Sequence, residues 1–519
     1  MLGAYHSHER AHPMKRVPPS CVLAPLVLLS AGVLPETIRG AEDEALCRQA
    51  ATALRKAVTF FNDKVSTEGG YLWQYSEDLA LREGEGRADE TSVWVQPPGT
   101  PSVGQALLDA YDGTGESIYL EAARRTGMCL VQGQLVSGGW GYSIHFDPDV
   151  RKRHAYRVDL ADGATPQGSN VTTLDDDTTQ AALRFLMRLD RTLEFADRPI
   201  HDAVVYALDH LLAAQYPNGA WPQRFRESPN PEDFPVRKAA YPASWEREHP
   251  RASYMAFYTL NDNTLADMIE TMLLAAAIYD NTAYRTTAVW GGEFLILAQM
   301  PSPQPAWAQQ YNAEMHPAWA RRFEPPSVTG GESQRAMLAL MTVYRATGDV
   351  RFLEPIPRAI AYLRKSLLPN GRLARFYELE TNKPLYFTKD YQLTYDNGDM
   401  PTHYSCIVGS RLDAIAREYD RPAAMSPEAI AELRESQSRQ KSVASFKDTA
   451  TPTKNQIRAA EKAIAALDPH GRWVESGTLR RHDTPQNHRV IRTSTFIGNV
   501  RALAAYLATC PKSDQKPVK

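Results

Sequence analysis

An all-α fold, an (α/α)6-type toroid of about six helical hairpins with short strands and loops at its mouth, follows from three features of the sequence. Apolar residues recur with helical spacing along most of the 519-residue chain. A turn pattern, Q-x-x-x-G-x-W, occurs at residues 134–140 and again at 215–221, with looser copies elsewhere. Every second helix is also preceded by an unusual polar or proline-rich segment.

The periodicity predicts about twelve helices, near residues 44–66, 101–112, 117–134, 177–190, 200–216, 263–279, 281–300, 332–346, 351–367, 404–419, 455–467 and 492–508. Few convincing strands stand out. The looser turns are Gly69-Gly70-Tyr71-Leu72-Trp73, Ala306-Trp307, Asn370-Gly371-Arg372-Leu373 and His470-Gly471-Arg472-Trp473. All six copies follow a helix. The glycine is expected to end that helix in a left-handed cap, and the large residue to fold back on the core. Six turns and twelve helices make six hairpins, each with an inner and an outer helix. The inner helices start near 101, 177, 263, 332, 404 and 492. Their leading segments then share one mouth.

Around this toroid, placed at residues 41–420, the chain divides as follows. Residues 1–40 read as a signal region: Lys15-Arg16, then an apolar run from Cys21 to Leu34, then Ile38-Arg39-Gly40-Ala41. Residues ahead of Met14 read as an upstream extension. The apolar run is too short for an ordinary membrane span, so a secreted or periplasmic protein is expected, with no membrane contact once the signal is removed. Residues 421–454 are a charged, aromatic-poor insertion. Residues 455–510 form the last hairpin, and 511–519 a loose tail.

The formal net charge is −3 and no long basic run occurs, which excludes nucleic acid as an expected partner. A monomer is expected. Of the five cysteines, Cys21 leaves with the signal; Cys47, Cys129, Cys406 and Cys510 are scattered with no C-x-x-C spacing. Zinc and redox motifs are thereby excluded, while disulfides and buried thiols both remain open.

Three stretches carry chemistry. Thr173-Leu174-Asp175-Asp176-Asp177-Thr178 and Leu260-Asn261-Asp262-Asn263-Thr264 are acidic turns that open helices. One cap needs one carboxylate, so the surplus acids point to hard oxygen ligation of calcium or magnesium as well as to capping. Trp319-Ala320-Arg321-Arg322-Phe323-Glu324-Pro325-Pro326 sets two arginines before a stiff segment. One should face outward and the other inward, towards carboxylates, a metal and an acidic substrate. Lys389, Arg375 and Arg224 follow the same class of turn and extend a cationic rim.

The segments TLDDDTTQAALRFL, QYPNGAWPQRF, YTLNDNTLADMIE, WARRFEPPS and ARFYELETNKPLYFTKD resemble, in order, the family 10 polysaccharide lyases, the pectic acid lyases. The resemblance covers roughly residues 170–400. It implies calcium-dependent β-elimination of polygalacturonate. Asp175 and Asp262, with Asp176 beside them, resemble the acids that hold Ca2+ and the substrate carboxylate. Arg321 resembles the arginine that removes the C5 proton, and Lys389 falls at a substrate-binding position. Asn263, Arg224, Arg375, His403 and Tyr404 complete the expected substrate contacts. Two departures stand out: Asp176 replaces a common asparagine, and Pro401-Thr402-His403-Tyr404 replaces an Arg-Thr-Gly-Tyr segment, losing a substrate-binding arginine.

Rival readings remain. A class II terpene-cyclase-like toroid shares such turns, but the first aspartate of its D-x-D-D-T motif is Leu174 here. An inverting glycoside hydrolase would use the acids as a pair and leave Arg321 without a role. A non-catalytic sugar-binding toroid would rely on aromatic platforms.

Overall fold

The computed structural model describes residues 40–161, 163–423, 451–482 and 487–512. Its helices are α1 (Ala41–Phe60), α2 (Thr100–Thr114), α3 (Ser117–Gln132), the single turn α4 (Pro148–Arg151), α5 (Thr178–Thr192), α6 (Arg198–Ala213), α7 (Thr264–Tyr279), α8 (Thr282–Ala298), α9 (Glu332–Thr347), α10 (Pro355–Lys365), α11 (Leu412–Ala423), α12 (Lys454–Ala466) and α13 (Thr493–Leu507). The expected signal lies outside the described residues, as do 424–450 of the insertion and 513–519 of the tail.

Helix ends obey local chemistry. Pro101 and Pro355 sit in first turns, where no donor is lost. Gly115 and Gly348 end α2 and α9 in left-handed conformations, their amides closing on Tyr111 and Tyr344. A Thr453/Gln456 capping box starts α12.

The inner helices pack in series, α13 on α2, then α5, α7, α9 and α11. The outer helices α1, α3, α6, α8, α10 and α12 back them. This is the α/α toroid. One predicted helix is misplaced: the helix expected near 404–419 starts only at Leu412, because Ile407–Val408 is instead paired as a strand with Leu373–Ala374.

The repeated turns join successive hairpins. Gln134 Nε2 donates to the carbonyls of Gly138 (3.0 Å) and Ala203 (2.8 Å), and Gln215 Nε2 does the same for Gly219 (2.9 Å) and Thr287 (3.0 Å). Trp140 and Trp221 are fully buried, their indole N–H groups donating to Leu130 and Leu211. Trp473 repeats that bond to Ala463. Gly138 and Gly219 do have positive φ, +105° and +92°, yet they lie beyond the helix ends, in the turns themselves. The left-handed cap expected of them is therefore a left-handed turn. At Gly219 a Cβ would stand 2.0 Å from the Trp290 carbonyl oxygen, so no side chain fits.

After Trp140, Trp221 and Trp307 a short strand pairs with the strand that leads into an inner helix: 143–145 with 92–94, 224–225 with 172–173, and 310–311 with 258–259. Residues 74–76 pair with 490–492, within a five-stranded sheet that joins the first turn to the last. These strands are more numerous than periodicity suggested, because a two-residue strand has no period to read. They hold the inner-helix N-termini at one mouth. A disulfide, Cys47–Cys510, fastens α1 to the end of the last hairpin, while Cys129 and Cys406 are buried free thiols.

Candidate active site

Two turns of the same construction carry the acids. Leu174–Thr178 and Leu260–Thr264 each follow a two-residue strand and lead into α5 or α7. In both, two successive residues are left-handed: Asp176 (φ 53°), Asp177 (58°), Asp262 (47°) and Asn263 (63°). Among residues with a Cβ, aspartate and asparagine tolerate that region best. Backbone shape thus accounts for Asp177 and Asn263, for which helix capping was one expectation. Neither Asp177 nor Asn263 makes a side-chain cap bond; Asp177 instead pairs with Arg184 at 2.5 Å. Thr264 Oγ1 donates to the Leu174 carbonyl at 3.3 Å, tying one turn to the other.

The turns bring one carboxylate oxygen each from Asp175, Asp176 and Asp262 within 4.8 Å of one another. Asp175 is fully buried. Its Oδ2 accepts from the Tyr142 hydroxyl (2.9 Å), Arg321 Nη2 (3.0 Å) and Arg224 Nη2 (3.5 Å). Its Oδ1 is buried and has no partner among the described residues. An orphaned carboxylate oxygen beside two further carboxylates fits a hard cation, so the cluster can hold a metal ion of the calcium or magnesium type. Burial, then repulsion from Asp175, pushes Asp262 up to about 8 and Asp176 up to about 6.

Arg321 faces this cluster. Its Nη2 lies 3.6 Å from Asp262 Oδ2, and its Nε 3.8 Å from Glu324 Oε2. Burial works against the guanidinium charge, but Glu324, Asp175 and Asp262 outweigh it and hold Arg321 above the usual arginine range. Arg322 is exposed, its guanidinium 4.3 Å from the Tyr391 ring centroid. The pair divides inward and outward.

The remaining expected site residues fall into two sets. Arg224 joins the cluster, over the Tyr142 ring at 5.4 Å. Arg375 and Tyr404 stand beside it, the guanidinium 4.6 Å from the Tyr404 centroid and 3.5 Å from Glu332 Oε1. Asn263 is exposed at the end of its turn. Lys389 makes a surface pair with Asp399 at 2.7 Å. His403 lies against Phe323 (5.3 Å) and the Tyr391 hydroxyl (3.4 Å). Neither Lys389 nor His403 contacts the three acids.

Tyr142, Gln309 and Glu324 were not among the site residues that the sequence pointed to. Tyr142 and Gln309 each stand two residues after a buried tryptophan, Trp140 and Trp307. That shared offset was the available signal.

The acidic turns and Arg321 lie within a stretch that known proteins share. Residues 134–370 match the pectic acid lyase family. The matched residues contain both acidic turns, Arg224 and Arg321, and end before Arg375. Among solved structures, a family 10 polysaccharide lyase from Cellvibrio cellulosa is 21% identical, with a TM-score of 0.42 over 60% of this chain and 98% of that one. A mutant of that lyase in complex with trigalacturonic acid is 20% identical, with a TM-score of 0.42 over 62% and 98%. Cellobiose 2-epimerase from Spirochaeta thermophila DSM 6192 is 14% identical, with a TM-score of 0.43 over 91% and 98%. No curated protein sequence matches the chain. Outside the matched residues, α1, α2, α3, α11, α12 and α13 extend the same toroid.

Proposed function

We propose that this chain is a secreted polysaccharide lyase that cleaves polygalacturonate by calcium-dependent β-elimination, with Arg321 as the base at C5 of the uronate. The observation that carries this reading is an inward arginine within ion-pair distance of two of three clustered carboxylates, inside the pectic acid lyase segment.

Asp175, Asp176 and Asp262 would hold the cation, and Asn263 lies at the rim. The C5 proton is α to a carboxylate, so its removal builds enolate charge; a bound Ca2+ supplies positive charge that offsets it. Arg321 is held cationic by Glu324, Asp175 and Asp262. With the aspartates engaged by a cation, that stabilisation of its charged form would weaken, so that Arg321 could lose a proton to solvent and, once neutral, take the C5 proton while the C4–O bond breaks and the leaving oxygen is protonated from water. Arg224 and Arg375 add charge that suits a polyanion. Lys389 and His403, at the outer rim beside Tyr391, would meet sugars further from the scissile bond, with Tyr404 behind them.

The disulfide Cys47–Cys510 supports an oxidising compartment, hence secretion. No described helix is long and apolar enough to cross a membrane.

Product analysis tests the reading. Polygalacturonate incubated with protein and calcium should give oligomers with unsaturated non-reducing ends. New reducing ends without unsaturation would make the protein a hydrolase, and binding without products a sugar-binding toroid.

A further inference from the structure

Glu324 is fully buried, at 0% exposure, three residues after Arg321. A carboxylate out of water needs partners on both oxygens, and here each oxygen has them. Oε2 accepts from the Arg321 backbone N–H at 3.0 Å and lies 3.8 Å from the Arg321 Nε. Oε1 accepts from the Tyr404 hydroxyl and from Gln309 Nε2, both at 3.1 Å. The backbone closes the same loop: Glu324 N–H donates to the Arg321 carbonyl at 2.9 Å, and Ala320 N–H to the Glu324 carbonyl at 3.2 Å. Pro325 and Pro326 then stiffen the exit.

The network continues to the acidic turn. Gln309 Nε2 also donates to Asn261 Oδ1, and Asn261 Nδ2 donates to Asp262 Oδ2 at 2.6 Å. The Gln309 carbonyl accepts from the amides of Leu260 (2.8 Å) and Asn261 (3.1 Å). An unbroken path of hydrogen bonds therefore joins Tyr404, Glu324, Gln309, Asn261 and Asp262.

A turn anchor alone could be neutral, since a glutamine oxygen also accepts from an amide. The charge matters because Arg321 stands among three competing acids, Asp175 and Asp262 at its Nη2 and Glu324 at its Nε. Without the pull on Nε, the guanidinium would settle wholly onto the two aspartates and occupy the oxygens a cation needs.

We infer that Glu324 is a positioning residue for Arg321, holding its guanidinium from the Nε side so that it faces Asp175 and Asp262 without closing over them, and fixing both to one frame through Gln309 and Asn261. This rests on the reading of Arg321 as the base and of the three aspartates as cation ligands. Arginine neighbours that are themselves held by a buried acid keep their aim without losing rotamer entropy at each turnover.

The test is a double-variant cycle read by calorimetric titration with calcium alone, which needs no substrate. Glu324→Gln should weaken calcium binding about 5–10-fold when Arg321 is present and change it less than about twofold in an Arg321→Ala background. On polygalacturonate, Glu324→Gln should lower kcat about 30-fold with KM within about threefold. Tyr404→Phe, which removes one donor from Glu324 and no charge, should move calcium affinity and kcat the same way by about two- to threefold. Equal effects of Glu324→Gln with and without Arg321, unchanged values in both variants, or a wild type that binds no calcium would overturn the inference. A wild type that binds calcium and shows the non-additive cycle but leaves polygalacturonate intact would sink the lyase reading and uphold the role of Glu324.

Discussion

Arg321 Nη2 donates to Asp175 Oδ2 at 3.0 Å, across 146 residues of sequence. The same oxygen also takes the Tyr142 hydroxyl and Arg224, while the other oxygen of Asp175 has no partner among the described residues. Asp175 therefore serves both the arginines and the candidate cation. Asp175→Asn keeps the volume, removes the charge and replaces one acceptor by a donor facing arginines or the ion. Activity on polygalacturonate is expected to fall at least about 100-fold, or about 2.7 kcal/mol of transition-state stabilisation, with calcium affinity falling too. Steady-state rates and calcium titration of the variant check both.

Acidity should control how much calcium stabilises the fold. Without an ion, Asp262 is raised to about 8 and Asp176 to about 6, first by burial and then by Asp175. In the unfolded chain each would titrate near about 3.9. Between these values the folded state holds protons that the unfolded state has lost. Stability of the ion-free protein from these groups thus falls as pH rises from about 4 to about 8, then levels. A cation replaces the protons and relieves the repulsion. The rise in Tm on adding calcium is expected to be larger at a pH above 8 than near 5, and Asp262→Asn should shrink the difference. Thermal melts across pH, with calcium and with chelator, measure it.

The turn glutamines are expected to matter for stability rather than catalysis. Gln134 is buried, and its amide serves the carbonyls of Gly138 and Ala203, on two different hairpins. Gln134→Ala removes the donor to the Gly138 carbonyl and the second donor to the Ala203 carbonyl, which keeps its bond within α6. A loss of about 1–3 kcal/mol is expected, seen as a lower urea midpoint, with kcat on polygalacturonate little changed in the folded variant.

Much of this was legible because the toroid repeats itself. The Q-x-x-x-G-x-W turns gave the hairpin count, and their Gln and Trp side chains make equivalent bonds in the structure. The acidic turns announced themselves by surplus Asp and Asn, although the reason was partly wrong. Asp177 and Asn263 are left-handed rather than capping, and single-residue φ leaves no periodic trace. What stayed hidden was tertiary. Gln309 reaches Asn261, and Tyr404 reaches Glu324, across 48 and 80 residues; nothing local marks such pairs. Lys389, expected on a cationic rim, also pairs with Asp399, ten residues on, which nothing in its own turn announces. Residue 407, read as helix, pairs as a strand because tertiary hydrogen bonds outweigh local propensity.

The most direct measurement compares wild type, Arg321→Ala and Arg321→Lys on polygalacturonate, following unsaturated product by ultraviolet absorbance with calcium and with chelator. Lysine cannot reproduce the guanidinium fork that spans Asp175, Asp262 and Glu324. Wild type should form unsaturated product only with calcium, and both variants should lose about 1,000-fold in kcat while still gaining Tm on adding calcium. An Arg321→Ala protein that forms unsaturated product within about tenfold of the wild-type rate would contradict the assignment of Arg321 as the base.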